Sequence, residues 1–531
     1  MAAIQSRAAL HARGFNLSLP MIGFVFGAIC TGLPLLVHLY LPLVDLPNHI
    51  ARLHIAETVG TGPLSRYYTY SNSLVPNSAV DFLWAGLGHP YGAIRFANLV
   101  MASYTVNMIL SVMVLARVVH GRWTLWSAAS ALLVYSGPFF WGFQNFVWSL
   151  PFCLYGIALW LVLERRATWL RLAVFVPWAS FLYLMHFFAF GFLAIALAGR
   201  ELYTLFTPPD RLLRGLAARV ALMLPFILPV FWLVYSLDKP PSPTAGNMIT
   251  FGGLREHLMM LTSPLFAPNT AEFPALNQLA IAGLLLLAVV FSRLFSKQGP
   301  RLILNPLLRG PVIAIGLAAV FAPSWLNGVA LVDIRAPALF CVLLIAGTSW
   351  QGLCARKATL LAMTFGALIL ARGVAMERFA AIYETDARNM LNVTETLPPG
   401  ARLLPLRAPG KQRDTRFYHL QGLLVDQRDV FVPTLFQGVH ALKLREEWHT
   451  SAHPALAAID LRFIQDPAYY AMAPGFAQDW EHKFTYALLM DETELPFNPQ
   501  LERVSSQGRF TLFRILPQNR AKGDLAFPSP D

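Results

Sequence analysis

The sequence predicts an α-helical polytopic membrane protein of about eleven transmembrane helices, closed by a small C-terminal α/β domain. Three observations lead there. Hydrophobic residues make up 56% of the 531 and charged residues only 13%, a balance that excludes a soluble globule. Apolar runs of about 20 residues, the length that crosses a bilayer, recur from residue 18 to residue 374. Beyond residue 375 the pattern changes to short apolar stretches between polar turns.

The expected spans are 18–42, 98–118, 124–140, 146–163, 170–186, 187–206, 215–236, 277–295, 307–323, 337–353 and 358–374. Basic residues fix their orientation. With the N-terminus inside, the cytoplasmic segments carry Arg7, Arg13, Arg117, Arg122, Arg165, Arg166, Arg171, Arg200, Arg211, Arg214, Arg219, Arg293, Lys297, Arg301, Arg309, Arg356 and Lys357. The opposite loops before the C-terminal region hold only Arg52, Arg66, Arg95, Lys239, Arg255 and Arg335. The net charge of +12 therefore reflects membrane orientation, and no nucleic-acid partner is expected.

An odd number of spans puts the C-terminal region on the far side, the periplasm if the host is a Gram-negative bacterium with this chain in its inner (plasma) membrane. The resulting division is a transmembrane domain, 1–374, with extracytoplasmic loops 43–97 and 237–276, and a C-terminal extracytoplasmic α/β domain, 375–531. In the latter, 374–396 reads as an amphipathic helix, ARLLPL (401–406) and DVFVPTLF (429–436) as short strands, and KFTYALLMD (483–491) with GRFTLFRIL (508–516) as a closing strand pair. DKPPSPT (238–244) reads as a loop and AKGDLAFPSPD as a loose tail. Cys30, Cys153, Cys341 and Cys354 lie in or at the edge of apolar runs without metal-ligand spacing, which argues against a disulfide framework.

The stretch around which the chain is organised is LVDLPNHIARLHIAETVG, residues 43–60. Asp45 ends the first apolar run, Pro47 can open a helix, and His49 and Arg52 follow at one-turn spacing. A carboxylate beside an imidazole at a membrane surface could hold an acceptor hydroxyl, a phosphate or a metal ion. The plainer reading is an interfacial amphipathic helix that Asp45 merely caps.

Other polar residues fall on the same side. Gln144 and Asn145 are the amides of GPFFWGFQNFVW, where they could donate to sugar hydroxyls between aromatic faces. His186 sits at the tip of a tight hairpin, FLYLMHFFAFGF, and Asp333 and Arg335 precede a late span in VDIRAP. An arginine there either snorkels to lipid headgroups or holds the phosphate of a lipid-linked substrate through two parallel donors. Arg255, Glu256 and His257 sit in a further loop expected to carry an interfacial helix, and His419 in FYHLQG has no role assigned. Their common side is the argument, because polar groups at a membrane mark substrate pathways.

VDLPNHIAR after the first span, WGFQNF after the third, MHFFAF at the fifth-to-sixth hairpin, VDIRAP, and the outer PPGARLLPL and FTLFRI segments resemble the GT-C superfamily of polytopic glycosyltransferases. The resemblance is to bacterial members related to protein mannosyltransferases, lipid A aminoarabinose transferases and Rgt-type lipopolysaccharide transferases, and it covers essentially the whole chain. The sequence departs in lacking the paired acidic DxD or DE signature in the first far-side loop, where only Asp45 stands.

The resemblance implies a cell-envelope enzyme that moves a sugar from a polyprenyl-phosphate donor to a glycan, lipid or protein acceptor by inverting displacement. Asp45 is then the catalytic residue, and His49, Arg52, Gln144, Asn145, His186, Asp333 and Arg335 bind substrate. No metal site is assigned; a divalent cation, Mg or Mn, stays open as cofactor because Asp45 and His49 could supply two ligands. The rival readings are a transporter or flippase of a lipid-linked saccharide, a surface-polysaccharide polymerase or ligase, and a non-catalytic scaffold. Transport would call for charged or polar residues at the bilayer midplane and often an internal repeat, whereas here the spans are mostly apolar, the polar residues collect at one face and no repeat is seen.

Overall fold

The computed structural model describes residues 18–71, 74–89, 91–205, 219–236, 249–268, 273–410, 415–436, 441–453, 457–491 and 498–516. The basic residues Arg7, Arg13, Arg211, Arg214 and Lys239, the proline-rich 238–244 stretch and the C-terminal tail lie outside them.

Among the described residues seven helices are long and apolar enough to cross a membrane: Leu19–Val37, Ala93–His120, Gln144–Leu163, Thr168–Met185, Phe187–Leu205, Ala275–Ser292 and Ala355–Val393. Shorter apolar helices occupy Arg219–Phe231, Pro306–Phe321 and Arg335–Gly347. The chain is a multi-pass membrane protein.

The remaining expected span, 124–140, takes another form. Leu125–Leu133 is a 3₁₀ helix and Gly137–Phe140 a single turn. Ser127 and Ser130 donate their hydroxyls to carbonyls three residues back, which favours the tighter winding, and Gly137 and Pro138 then interrupt it. Carbonyls released in an apolar setting need donors. The Tyr104 hydroxyl reaches the Val134 carbonyl at 3.0 Å, and the buried Arg372 guanidinium donates to those of Tyr135 and Leu265 at 2.6 and 3.1 Å.

The chain divides into two compact units. The first takes the described residues up to Val37, Leu99–Phe140 and Asn145–Arg378. Its helices approach closely where side chains are small. A Cβ on Gly310 would lie 2.2 Å from the Gly199 carbonyl oxygen, and one on Gly199 would lie 2.6 Å from that of Gly310. This glycine contact packs Phe187–Leu205 against Pro306–Phe321 in the manner of small-residue crossings in membranes. A Cβ on Gly373 would press as tightly on the Cys30 carbonyl oxygen.

The second unit takes His38–Asn98, Trp141–Gln144 and the chain from Phe379 on. Its sheet has the strand order Leu501–Gln507, Phe510–Ile515, Tyr486–Met490, Leu403–Arg407, Ile459–Asp460. The first two pairings are antiparallel and the last two parallel. Every residue of Leu403–Arg407 is buried, which is why LLPLR reads as a continuous apolar run rather than an alternating one. Arg407, with no exposed surface, pairs with Asp491. A separate two-stranded sheet pairs Tyr68–Tyr70 with Leu442–Leu444 antiparallel.

Two expectations change. The strand over 429–436 reduces to one bridge, Arg402 to Phe431, since Pro433 has no N–H to continue a ladder. The last span and the 374–396 helix are one helix, Ala355–Val393, because no proline interrupts them.

The glycine crossing makes a measurable claim. Gly310→Ala lowers the thermal unfolding midpoint in detergent, by an amount equivalent to about 1–3 kcal/mol, because the methyl must push backbone rather than a side chain. Gly191→Ala, whose methyl meets nothing within 4 Å, is neutral or stabilising by up to about 1 kcal/mol.

Candidate functional site

Asp45 occupies a constrained corner of the second unit. It is the N-cap residue of helix Leu46–Thr58, with Pro47 in the first turn, yet its side chain makes no capping hydrogen bond. Its backbone carbonyl accepts from the N–H groups of Asn48 and His49, and its own N–H donates to the Trp141 carbonyl at 3.0 Å. Gly142 makes that approach possible. It has φ +74°, and a Cβ there would sit 2.7 Å from the Asp45 nitrogen.

The buried Asp45 carboxylate faces the buried His419, with Oδ1 3.6 Å from Nε2. The His419 ring lies edge-on to Phe436 with centroids 5.1 Å apart, and His49 meets the same phenyl ring at 6.5 Å. Burial pushes the His419 imidazole down to about 4, so it is neutral at physiological pH. Among the described residues no three His, Cys, Asp or Glu side chains come together as a metal-holding group.

Arg52 turns elsewhere. Its Nε lies 2.8 Å from Asp81 Oδ1, both side chains buried, and Tyr70 hydrogen-bonds the same carboxylate. Burial raises the Asp81 carboxyl, against the lowering by Arg52 and Tyr70. Gln144, expected to meet a sugar, donates its amide to the Ala97 carbonyl at 3.1 Å and holds the Trp141–Gln144 turn. His54, one turn beyond Ile50, lies 2.8 Å from Asp429 and 3.5 Å from Asp426.

The first unit carries the other set. Arg335 opens helix Arg335–Gly347, and its guanidinium carbon lies 5.1 Å from the Phe146 ring centroid and 4.9 Å from that of Phe188. His186 ends helix Thr168–Met185; its Nδ1 accepts the Phe188 N–H at 3.1 Å, so a neutral ring carries its proton on Nε2. Its ring stands edge-on to Phe146, centroids 5.1 Å apart. The ends of four helices thus bring Arg335, His186 and two phenyl rings together. Asn145, preceding Phe146, is buried, as is Asp333. Burial raises the Asp333 carboxyl, opposed by nearby backbone N–H groups and by His257 and Arg335. His257 itself meets the Val320 carbonyl, and Glu256 accepts the Gly253 N–H.

Compared over its length, the chain aligns with ArnT of Cupriavidus metallidurans in the apo state over 93% of its residues and 97% of that chain, at TM-score 0.50 and 16% identity. ArnT is an aminoarabinose transferase, a GT-C glycosyltransferase. The chain has the GT-C fold. The structure of the same ArnT bound to undecaprenyl phosphate aligns at TM-score 0.47 and 16% identity, with the same coverage. The Archaeoglobus fulgidus oligosaccharyltransferase in the apo form aligns at 0.41 and 13%, over 90% of this chain and 70% of that one. No family model and no curated protein sequence matches the chain.

The sequence offers Asp45, His49, His186 and Arg335 as candidates but not what each meets. Phe188 was legible only as part of an aromatic run, and Asp81 stands in an apolar stretch, DFLWAG, without a spacing that ties it to Arg52. His419 in FYHLQG carries no role that the sequence assigns, and only the folded unit turns it toward Asp45.

A neutral buried imidazole makes stability depend on pH in one direction. The unfolded chain takes up a proton near 6.5 and the folded one only near 4, so stability is complete above 6.5 and falls as pH drops through that window. Thermal melts from pH 7.5 to 4 should therefore show a steeper acid loss in the wild type than in His419→Gln, which cannot take up that proton.

Proposed function

We propose that the protein is an integral-membrane glycosyltransferase that moves a sugar from a polyprenyl-phosphate donor to an acceptor hydroxyl on the extracytoplasmic face, with inversion. The N-terminus is placed in the cytoplasm and the C-terminal region in the periplasm of a bacterial inner membrane. The observation that carries the reading is Asp45, a buried carboxylate whose side chain does not cap its own helix and whose backbone is fixed from both sides. The GT-C fold supports a lipid-linked sugar transferase in general.

The chemistry follows from these groups. Asp45 accepts the proton of the acceptor hydroxyl as that oxygen bonds to the anomeric carbon. The bond from that carbon to the phosphate oxygen breaks on the opposite face, and its electron pair leaves with the polyprenyl phosphate. The sugar is oxocarbenium-like between these events, and a cation at the departing phosphate lowers the barrier. That cation is Arg335, whose planar donors suit a phosphate and which keeps its charge throughout. His186, Asn145 and Asp333 stand with Arg335 on the substrate, and His49 with Asp45. Arg52 and Gln144 hold the scaffold, through Asp81 and the Ala97 carbonyl.

Binding of a polyprenyl phosphate to the protein in nanodiscs tests the donor half without knowledge of the sugar. Wild type binds saturably, Arg335→Ala weakens binding by about tenfold or more, and Asp45→Asn keeps it. With a panel of polyprenyl-phosphate sugars, Asp45→Asn lowers transfer by a factor of about 10²–10⁴. Absence of saturable binding, or binding indifferent to Arg335→Ala, overturns the reading.

A further inference from the structure

We propose that His419 is the positioning residue of the acceptor base: its Nε2–H holds one oxygen of the Asp45 carboxylate and aims the other at the acceptor hydroxyl. The inference rests on the reading of Asp45 as that base.

Three observations within the second unit carry it. The two side chains face one another, both buried, at 3.6 Å. That is longer than a hydrogen bond, but catalytic hydrogen bonds in ligand-free proteins are often long and tighten only with substrate present. Next, the elements that carry the pair are locked together. His419 precedes the turn Leu420–Gly422, the Gly422 N–H returns to the His419 carbonyl at 2.8 Å, and a Cβ on Gly422 would lie 3.0 Å from the Pro47 carbonyl. The histidine segment thus lies closely against the first turn of the Asp45 helix, where even a methyl at position 422 would be a tight contact. Finally, the ring is fixed edge-on to Phe436, so the pair has little freedom to part.

The proton can be assigned. Nδ1 is buried and makes no hydrogen bond among the described residues. A proton there would bury an unsatisfied donor and turn the lone pair of Nε2 toward a carboxylate, so the neutral ring carries its hydrogen on Nε2. In this tautomer His419 gives Asp45 a hydrogen bond and cannot relieve it of a proton. The acceptor's proton therefore stays on the aspartic acid until the product leaves. Because burial keeps the imidazole neutral, it orients the carboxylate without cancelling its charge. Other titratable side chains on the adjoining elements include His49, across Phe436, with Arg52, His54 and Glu57 further along the Asp45 helix, and Arg416 and Tyr418 beside His419 in the chain.

Labelling of Asp45 by a carbodiimide, which adds to the protonated carboxyl, reads this contact without any sugar donor. Peptide mass spectrometry of the full-length protein in nanodiscs gives the pH of half-labelling. His419→Leu removes the donor and raises that pH by about one unit, about tenfold faster labelling above it. His419→Gln, whose amide nitrogen can replace Nε2, restores the wild-type curve. His419→Asn, one carbon shorter, behaves as His419→Leu and supplies the comparison if the leucine variant does not fold. In transfer assays the leucine variant lowers kcat and leaves KM for the lipid-linked donor unchanged. Superimposable curves for all variants, or a glutamine variant that follows leucine, overturn the inference. If instead transfer survives Asp45→Asn, the functional reading falls while the labelling result stands.

Discussion

The second unit depends on one backbone hydrogen bond, from the N–H of Asp45 to the carbonyl of Trp141. It joins the end of the first apolar run to a turn almost a hundred residues later, and it forms because Gly142 adopts a positive φ that brings backbone against backbone. Once Asp45 is held there, Pro47 has one path for the helix it opens, and Gly422 sets the His419 segment on that path. A side chain larger than hydrogen at Gly142 would move main chain rather than rotamers. The direction of the carboxylate is therefore a property of the backbone.

In the first unit the constraint is backbone satisfaction in an apolar medium. A continuous helix satisfies its own carbonyls; just past the 3₁₀ stretch Leu125–Leu133 the winding is interrupted, and Tyr104 and Arg372 donate to the carbonyls of Val134 and Tyr135 there. Arg372 and Arg335 show two ways of keeping guanidinium in apolar surroundings. The former points its donors at peptide carbonyls. The latter stacks between Phe146 and Phe188, which engages the faces of the ion while its donors lie in the plane.

How much of this was legible in the sequence depends on the range of the signal. Hydropathy over windows of about 20 residues is local and strong, so the membrane helices and the change after residue 375 could be read directly. The 3₁₀ form of 124–140 could not, because its apolarity is the same and only Ser127, Ser130 and Gly137–Pro138 distinguish it. One continuous helix over Ala355–Val393 was divided at the point where hydropathy falls, although nothing there breaks a helix. At the site, Asp45 announced itself as a charge at the end of an apolar run. The pairing of Arg52 with Asp81, and the meeting of Asp45 with His419 across more than 370 positions, arise from tertiary packing that no spacing encodes.

The pairing of Tyr68–Tyr70 with Leu442–Leu444 has a consequence for biosynthesis. At about 5–20 residues per second, the ribosome needs roughly 20–75 s after the first strand emerges to deliver its partner. Throughout that interval the segment holding Asp45 lacks the strand edge and the histidine that complete its surroundings. The membrane helices can enter the bilayer one after another, while this corner must wait for the last part of the chain. The surroundings of Asp45 are consequently completed only when synthesis of the chain is nearly finished.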